Sequence, residues 1–433
     1  MNLLEDIRRS RGSEDVPFLV DGEHSYRFAD IEQASSAGLE EVRRGDVVAL
    51  VGDFDPDNIK LMLQLIDRGA IYTPLTAATR ADHEYYFDAA KVDIVIENGI
   101  ARRLRERQDA HPMLEEVRAS GASGLILFSS GTTGRPKAIL HNFETFLRKF
   151  RTPRPALRTL NFLLFDHIGG INTLLHTLYN SGVTVIPSNR SPTGVIADIR
   201  HNEVELLPTT PTFLRMLLLS GALEDGVPPS LKVVTYGTER MDQNTLDRLC
   251  EIAPDVDFRQ TFGMSELGIL RVKSRARDSL WMKIGGEGVE TKVVDGILKI
   301  RSANRMIGYL NAPSPFDEEG WYDTKDRVDV DGEYIKVVGR ASDLINVGGL
   351  KVLPSEIERA ALEHPDILLA SAKGKPNPIT GQHIELTCQV REGADLDRKA
   401  LKAFLADRLP EHARPHRIVF DSVGVNHRFK RMG

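Results

Sequence analysis

The sequence has few cysteines and no excess of charge of one sign. Only Cys250 and Cys388 occur among 433 residues, far apart and without a metal-ligand spacing, which is typical of a reducing compartment and excludes a cysteine-rich metal site. Lys and Arg number 56 against 62 Asp and Glu, a formal net charge of -6. No basic field therefore favours nucleic acid, and an anionic ligand must be held locally. The composition indicates small-molecule chemistry.

Long hydrophobic runs are absent as well. The segment 1–12 lacks the apolar stretch of a signal peptide, and no run approaches the length of a bilayer span. Hydrophobic residues still make up 41% of the chain, enough for large cores in roughly two to three domains. We expect a cytoplasmic protein that binds no membrane.

Short β-branched runs alternate with helical patterns over the first three quarters of the chain. Residues 46–51 and 71–74 predict buried strands on either side of a helix at 57–68. Thr210 and Pro211 are typical of a helix cap and first turn. The pairs Asp295-Gly296 and Asp331-Gly332 predict hairpin turns. We expect an α/β fold, with a large N-terminal domain of stacked α/β sheets that ends in a β-rich piece, over residues 1–339.

The pattern changes after Arg340. A loop, a helix with a capping box formed by Ser355 and Glu358, two strands at 367–373 and 384–390, and a helix at 397–408 follow one another. This order predicts a small α+β C-terminal domain over residues 340–433.

The most informative segment is Leu125–Lys137, in which an apolar strand leads into a loop of small hydroxylic residues and glycines. Glycines allow positive φ, so backbone N–H groups can approach an anion, and hydroxyls and a lysine add donors. The loop is not a Walker loop, because Pro136 precedes Lys137 and Ala138 follows it. The string SSGTTGRPK resembles the phosphate-binding signature of the adenylate-forming superfamily, which includes acyl-CoA synthetases, peptide-synthetase adenylation domains and luciferases.

Two further segments resemble nucleotide-binding motifs of that superfamily. The run 260–266 is similar to its Tyr-Gly-x-Thr-Glu signature, with Phe262 for Tyr and Ser265 for Thr, and Glu266 in the place of the Mg²⁺ ligand. Residues 236–239 take the place of a turn against adenine, and Tyr236 is bulkier than usual there. Further along, Asp326 takes the place of the ribose ligand. The nucleotide-binding residues that the resemblance implies are Ser129, Ser130, Gly131, Thr132, Thr133, Gly134, Lys137, Tyr236, Gly237, Thr238, Glu239, Thr261, Phe262, Gly263, Met264, Ser265, Asp326 and Arg340.

Departures from the family pattern leave alternatives open. Lys325 stands where the family prefers glycine, and either faces solvent or adds a contact to the nucleotide. The stretch 341–358 resembles the start of the family's mobile C-terminal domain, with Ser342 at a hinge position that is commonly Asp or Lys. The resemblance assigns Gly348, Gly349 and Lys351 to the loop that lines the tunnel for a pantetheine thiol.

The acyl side and the C-terminus carry the remaining candidates. Residues 165–170 resemble the stretch beside the acyl pocket of acyl-CoA synthetases, with His167 in the place of the family's histidine. Asp166 either contacts a substrate amine or is a buried or capping carboxylate. Near the end, Lys430 has the family's spacing from Asn426 for the lysine that reaches the reacting carboxylate and α-phosphate.

The resemblance implies an ATP- and Mg²⁺-dependent acid-thiol ligase. In this reaction a small carboxylic acid becomes an acyl adenylate with release of pyrophosphate, and CoA or the phosphopantetheine of an acyl carrier protein then displaces AMP. Alternatives are a stand-alone enzyme that loads a carrier protein, an adenylating enzyme that makes no thioester, and an adenylate-binding module without catalysis. The oligomeric state stays open, with a homodimer possible.

Overall fold

The computed structural model describes residues 2–11, 16–33, 38–107, 111–129, 135–378, 380–424 and 428. Twelve α-helices occur in these residues: Leu3–Arg11, Phe28–Gln33, Pro56–Asp67, His83–Ala89, Pro112–Ser120, Phe143–Leu147, Ile168–Tyr179, Pro192–His201, Pro211–Leu219, Gln243–Ile252, Pro354–Leu362 and Arg398–Ala406. No helix in this part of the chain combines the length and the apolar character needed to cross a bilayer.

Two seven-stranded sheets dominate the N-terminal part. Parallel pairing prevails in the first, whereas the second has a parallel centre with antiparallel pairs toward both edges. The first sheet contains, in spatial order, Asp257–Gln260, Val233–Tyr236, Leu206–Thr209, Arg158–Leu160, Val183–Val185, Leu19–Asp21 and His24–Tyr26. The second sheet contains Gly308–Tyr309, Ala138–Asn142, Gly124–Phe128, Ile71–Leu75, Val47–Val51, Ile94–Glu97 and Ile100–Arg103.

The largest core joins these two sheets. It combines residues of both sheets with the apolar faces of the helices Pro56–Asp67 and Ile168–Tyr179. Buried on both faces, the central strand Val47–Val51 is apolar throughout, as expected for a parallel strand covered by helices. The helix Pro211–Leu219 begins as predicted, because the Thr210 side chain accepts a hydrogen bond from the Phe213 N–H and Pro211 occupies the first turn.

A third, antiparallel sheet follows. Its strands are Phe262–Met264, Gly268–Ser274, Met282–Gly285, Tyr334–Arg340, Tyr322–Asp331, Ile297–Ser302 and Val289–Val294. Asp295 and Gly296, both with positive φ, form the turn between Val289–Val294 and Ile297–Ser302. Gly332 lies in the turn between Tyr322–Asp331 and Tyr334–Arg340. Both predicted hairpins and the β-rich end piece are therefore present.

A fourth sheet with its own core forms the small C-terminal domain. Its strands are Leu350–Val352, Ile345–Val347, Gly381–Val390, Ile367–Asn377 and Arg417–Phe420. The predicted fold class is confirmed. The boundary between residues 339 and 340 stays a prediction.

The predicted capping box at Ser355 and Glu358 is wrong. The helix Pro354–Leu362 has Leu353 at its N-cap and no side-chain cap. Ser355 instead donates its hydroxyl to the Val338 carbonyl at 2.7 Å, and the Glu358 carboxylate accepts from the Ala372 N–H at 3.1 Å. The helix begins two residues earlier than the box requires, so Leu353 and not Ser355 is at the N-cap, and Ser355 and Glu358 make tertiary contacts instead.

Candidate active site

The base of the predicted phosphate loop is pinned by its two flanking residues. The Ser129 N–H donates to the Lys137 carbonyl at 3.1 Å, and the Lys137 N–H donates to the Ser129 hydroxyl at 3.0 Å. These bonds continue the antiparallel pairing of Gly124–Phe128 with Ala138–Asn142. The residues Ser130, Gly131, Thr132, Thr133 and Gly134 lie outside the described residues. The two ends of the loop, Ser129 and Lys137, are therefore held next to each other at the end of these two strands.

Tyr309 connects this loop to the predicted magnesium ligand. The Lys137 ammonium lies 4.7 Å from the centroid of the Tyr309 ring, and the Tyr309 hydroxyl donates to Glu266 Oε1 at 2.7 Å. Burial, followed by the charge of Glu266, raises the pKa of Tyr309 well above its usual range. The phenol thus stays protonated and is a permanent donor that fixes one carboxylate oxygen.

The backbone around Glu266 is held from two sides. The Met306 N–H donates to the Glu266 carbonyl at 2.8 Å, and His141 Nε2 lies 2.6 Å from the Ser265 carbonyl. Burial lowers the pKa of His141 to about 4, so the imidazole is neutral at physiological pH and donates from Nε2 to the carbonyl. Glu266 therefore has a fixed backbone and one fixed oxygen, and its other oxygen can serve a cation.

The predicted adenine turn has a close backbone approach at its second residue. A Cβ on Gly237 would lie 2.1 Å from Thr261 Oγ1 and 2.8 Å from the Thr261 carbonyl oxygen, so only glycine fits there. The Thr261 N–H and hydroxyl both donate to the Tyr236 carbonyl, at 2.7 and 3.1 Å. Tyr236 itself is buried in the core of the first sheet, which leaves only its backbone to face a ligand.

The other two residues of this turn differ in what they do. Thr238 has a φ of 72°, an uncommon value for a threonine, and lines the acyl cavity described below. Glu239 accepts from the Thr212 N–H at 2.8 Å, which ties the turn to the first turn of the helix Pro211–Leu219.

Residues 262–264 form an edge strand of the third sheet, paired with Gly268–Ser274. A Cβ on Gly263 would lie 2.7 Å from the Gly268 carbonyl oxygen, so close strand packing accounts for this glycine. The side chains of Phe262, Met264 and Ser265 are half-buried.

Asp326 and Arg340 are brought together by one hairpin. They are directly opposite each other in the register, and Arg340 Nε donates to Asp326 Oδ1 at 3.2 Å. Burial raises the pKa of the Asp326 carboxyl, and the Arg340 guanidinium opposes that shift. A buried carboxylate with one cationic partner is suited to accept hydroxyl groups of a sugar.

Lys325 occupies a left-handed backbone conformation, with a φ of 62°. This conformation explains why a glycine suits the position. Asp323 stabilises the lysine instead, because it accepts from the Lys325 N–H at 2.9 Å and from Nζ at 2.8 Å. The exposed side chain faces solvent in this structure.

The predicted hinge and tunnel residues lie on the surface of the C-terminal domain. Gly348 and Gly349 have φ values of 60° and 89° in the tight turn between Ile345–Val347 and Leu350–Val352, and a Cβ on either would meet no atom within 4 Å. Lys351 and Ser342 are exposed. The tunnel and hinge roles stay predictions, and the turn alone accounts for both glycines.

The acyl cavity, named for the family resemblance of residues 165–170, is a small cavity beside His167 that is partly open to solvent. His167 lies at its wall and caps the helix Ile168–Tyr179, because Nδ1 accepts from the Gly169 N–H at 3.0 Å. The residues that line the cavity are Phe162, Leu163, Leu164, His167, Thr210, Thr238 and Arg428.

Arg428 enters this cavity from the C-terminal end of the chain. Its Nη2 lies 2.8 Å from Asp166 Oδ2, and both side chains are buried, 11% and 6% exposed. Asp166 is thus a buried, ion-paired carboxylate here. Asn426 and Lys430 lie outside the described residues.

Sequence reasoning missed Tyr309, His141 and Arg428. Tyr309 and His141 are single residues on strands, and only the pairing of Gly308–Tyr309 with Ala138–Asn142 brings them to the site. Arg428 lies two positions before Lys430, but this spacing does not indicate its contact with Asp166. In the described residues, no group of three or more His, Cys, Asp or Glu side chains could hold a metal ion. A magnesium ion that is bound mainly by phosphate oxygens needs only one or two carboxylates.

Comparison with known proteins agrees with these motifs. Residues 123–310 match the family model of the AMP-binding enzymes, and residues 356–422 match the model of the AMP-binding enzyme C-terminal domain. A 4-coumarate–CoA ligase of Oryza sativa subsp. japonica is 26% identical, over 95% of this chain and 87% of the relative, and a feruloyl-CoA synthase of Amycolatopsis sp is 24% identical over 96% and 94%.

Solved structures share the fold. The crystal structure of an anthranilate CoA ligase in complex with anthranoyl-AMP superimposes with a TM-score of 0.84 at 17% identity, over all of this chain and 95% of the other. The two family models cover the phosphate loop, the Glu266 segment and most of the C-terminal sheet. The chain belongs to the family of AMP-binding, adenylate-forming enzymes.

Proposed function

We propose that this protein is an AMP-forming acid–CoA ligase. The observation that carries the proposal is the continuous contact from Lys137 through Tyr309 to Glu266, because a lysine at the end of the loop 129–137 and a carboxylate close to it suit the phosphates and the Mg²⁺ of one ATP. The relatives whose names are CoA ligases support CoA as the acceptor.

In the first half-reaction, a carboxylate oxygen of the acid attacks the α-phosphorus of ATP, and the bond from this phosphorus to pyrophosphate breaks. Negative charge grows on the phosphoryl oxygens. The loop residues 129–137 and Lys430 stabilise it by electrostatic contacts, in a site that excludes water. Glu266 holds Mg²⁺, which neutralises phosphate charge when it is bound.

The nucleoside is held by a separate set of groups. Asp326 accepts the ribose hydroxyls, Arg340 contacts the nucleotide, and the backbone at Gly237 and Thr238 lies against adenine. Because the nucleotide is fixed at both ends, the α-phosphorus is positioned for attack by an acid in the cavity.

In the second half-reaction, the sulfur of CoA attacks the acyl carbon, and AMP leaves with the electron pair of the broken bond. The C-terminal domain turns about Ser342 between the two steps, and the loop of Gly348, Gly349 and Lys351 then lines the thiol path. The other acceptor, a carrier-protein phosphopantetheine, uses the same chemistry.

Phe162, Leu163 and Leu164 give the cavity an apolar wall, which favours an acid with an apolar acyl group. Small aromatic or short aliphatic carboxylic acids fit this lining.

The test is ATP/pyrophosphate exchange with a panel that includes 4-coumarate, ferulate, anthranilate and short aliphatic acids. We expect acid-dependent exchange, followed by consumption of free CoA. The variant Lys430→Ala should lose exchange by about 10²-fold or more, while it still forms thioester from supplied acyl adenylate and CoA. No exchange with any acid would contradict the ligase and favour an adenylate-binding module, and exchange without CoA consumption would favour the carrier protein or another acceptor.

A further inference from the structure

The Arg428–Asp166 ion pair joins the large domain to a residue near the C-terminus. The residues are 262 positions apart: Asp166 precedes the helix Ile168–Tyr179 on the acyl side of the large domain, and Arg428 belongs to the C-terminal segment. Their separation of 2.8 Å is that of a charge-assisted hydrogen bond. The contact therefore exists only while the C-terminal segment lies on the acyl cavity.

A buried ion pair is a poor device for stability. The cost of removing two charges from water offsets most of their attraction, whereas the loss of one partner leaves an uncompensated buried charge. Such a pair favours one arrangement of the domains over others. An arrangement that separates the two charges and leaves either of them buried is strongly disfavoured.

Two other contacts of the large domain with the C-terminal domain, among the described residues, have a different character. Arg215 Nη2 donates to the Ile367 carbonyl at 3.0 Å, and Arg240 Nη2 donates to the Ser355 carbonyl at 3.0 Å. Both end on backbone carbonyls of the C-terminal domain, which water can replace when the domains separate. In the Arg428–Asp166 contact both partners are charged, and Arg428 lines the cavity together with His167.

We propose that Asp166 and Arg428 are positioning residues for the first half-reaction. Their ion pair seats the C-terminal segment on the acyl cavity in the adenylate-forming arrangement, which holds Lys430 near the reacting carboxylate, and the pair opens when the domain turns for thioester formation. This inference rests on the proposed function, in which the two half-reactions use different domain arrangements.

The experiment measures each half-reaction separately in the full chain. Asp166→Asn and Arg428→Gln should slow ATP/pyrophosphate exchange by about 10²-fold, with the panel acid that gives the fastest wild-type exchange. Thioester formation from the matching acyl adenylate and CoA should stay within about twofold of wild type. The double variant Asp166→Arg/Arg428→Asp should regain at least about tenfold in exchange. Arg417→Gln is the matched control, because Arg417 pairs with Glu385 on the surface of the C-terminal domain.

A second readout needs no substrate. Amide hydrogen exchange of the peptide that contains Arg428 should be slow in the wild type and fast in Asp166→Asn, and the charge-swapped variant should restore protection. If the wild type shows this protection but no pyrophosphate exchange, the proposed function fails while the seating contact stands. Equal slowing of both half-reactions, unchanged adenylation in Asp166→Asn, or unchanged hydrogen exchange would overturn the positioning role.

Discussion

Replacing Asp326 by Asn should weaken ATP binding with little effect on stability. The amide keeps the size of the side chain but can accept with one oxygen only, so one charge-assisted hydrogen bond to the ribose is lost. Such a bond contributes about 1.5–3 kcal/mol, which corresponds to a rise of about 10- to 150-fold in the Kd of ATP.

The structure predicts that the fold tolerates this change. The Arg340 side chain is 53% exposed, so the loss of its partner leaves a solvated cation and not a buried charge. The Asp326 N–H donates to Thr324 Oγ1 at 3.0 Å, which fixes the backbone independently of the carboxylate. We expect Tm to change by less than about 4 °C.

Calorimetric titration with ATP and thermal unfolding check both parts. Asp329→Asn is the matched control, because Asp329 lies on the same strand and pairs with Lys336 at the surface. Since burial raises the pKa of Asp326, ATP affinity of the wild type should fall as the pH drops through that raised value, and the Asn variant should lack this step. Wild-type affinity in Asp326→Asn would refute the ribose role, and a large loss of Tm would refute the reasoning about Arg340.

Three other changes test separate parts of the site. Glu266→Gln keeps an acceptor for Tyr309 but loses the charge, so the Mg²⁺ concentration for half-maximal pyrophosphate release should rise about tenfold or more; an unchanged requirement would contradict the metal role. Gly349→Ala and Gly349→Leu both place a side chain on a residue with a φ of 89°, so they share the backbone strain and differ only in the size of the side chain. Only Gly349→Leu should block the thiol path and give a stoichiometric pyrophosphate burst without thioester. Equal loss of thioester formation in both variants would assign the glycine to the turn alone. The folded pKa of His141, about 4, lies below its ordinary value, so the unfolded state binds the proton more readily and stability falls as the pH drops from about 6.5 to 4. Between pH 7 and 5 this amounts to about 2 kcal/mol, measured by urea unfolding; His141→Gln should lose less over the same interval, and an identical pH profile would show that other groups dominate.

Local patterns predicted the elements of this fold well. Thr210 and Pro211 begin a helix, and the Asp-Gly pairs form turns, because each of these residues acts on backbone within a few positions of itself. The capping box failed for a reason outside its four residues: Ser355 has a tertiary partner in Val338. A pattern of neighbouring residues cannot show that a backbone group of another strand competes for the same side chain.

The motifs of the site could be predicted from the sequence, but the contacts that join them could not. The phosphate loop and Glu266 are visible in the sequence, whereas the side chain that joins them is not, since Tyr309 reaches Glu266 through the pairing of the second sheet. In the same way, Asp166 was expected to be buried or to bind an amine. Its partner Arg428 depends on how the two domains meet, and no local spacing encodes that arrangement.

The position of Tyr309 has a consequence for synthesis of the protein. During translation, the phosphate loop and its strands leave the ribosome long before the short strand Gly308–Tyr309, which completes the edge of the second sheet. Until that strand is added, Glu266 lacks both its phenol donor and the Met306 N–H. The contacts that order the Glu266 carboxylate and its backbone therefore form late, after the strands that flank the loop 129–137 have left the ribosome.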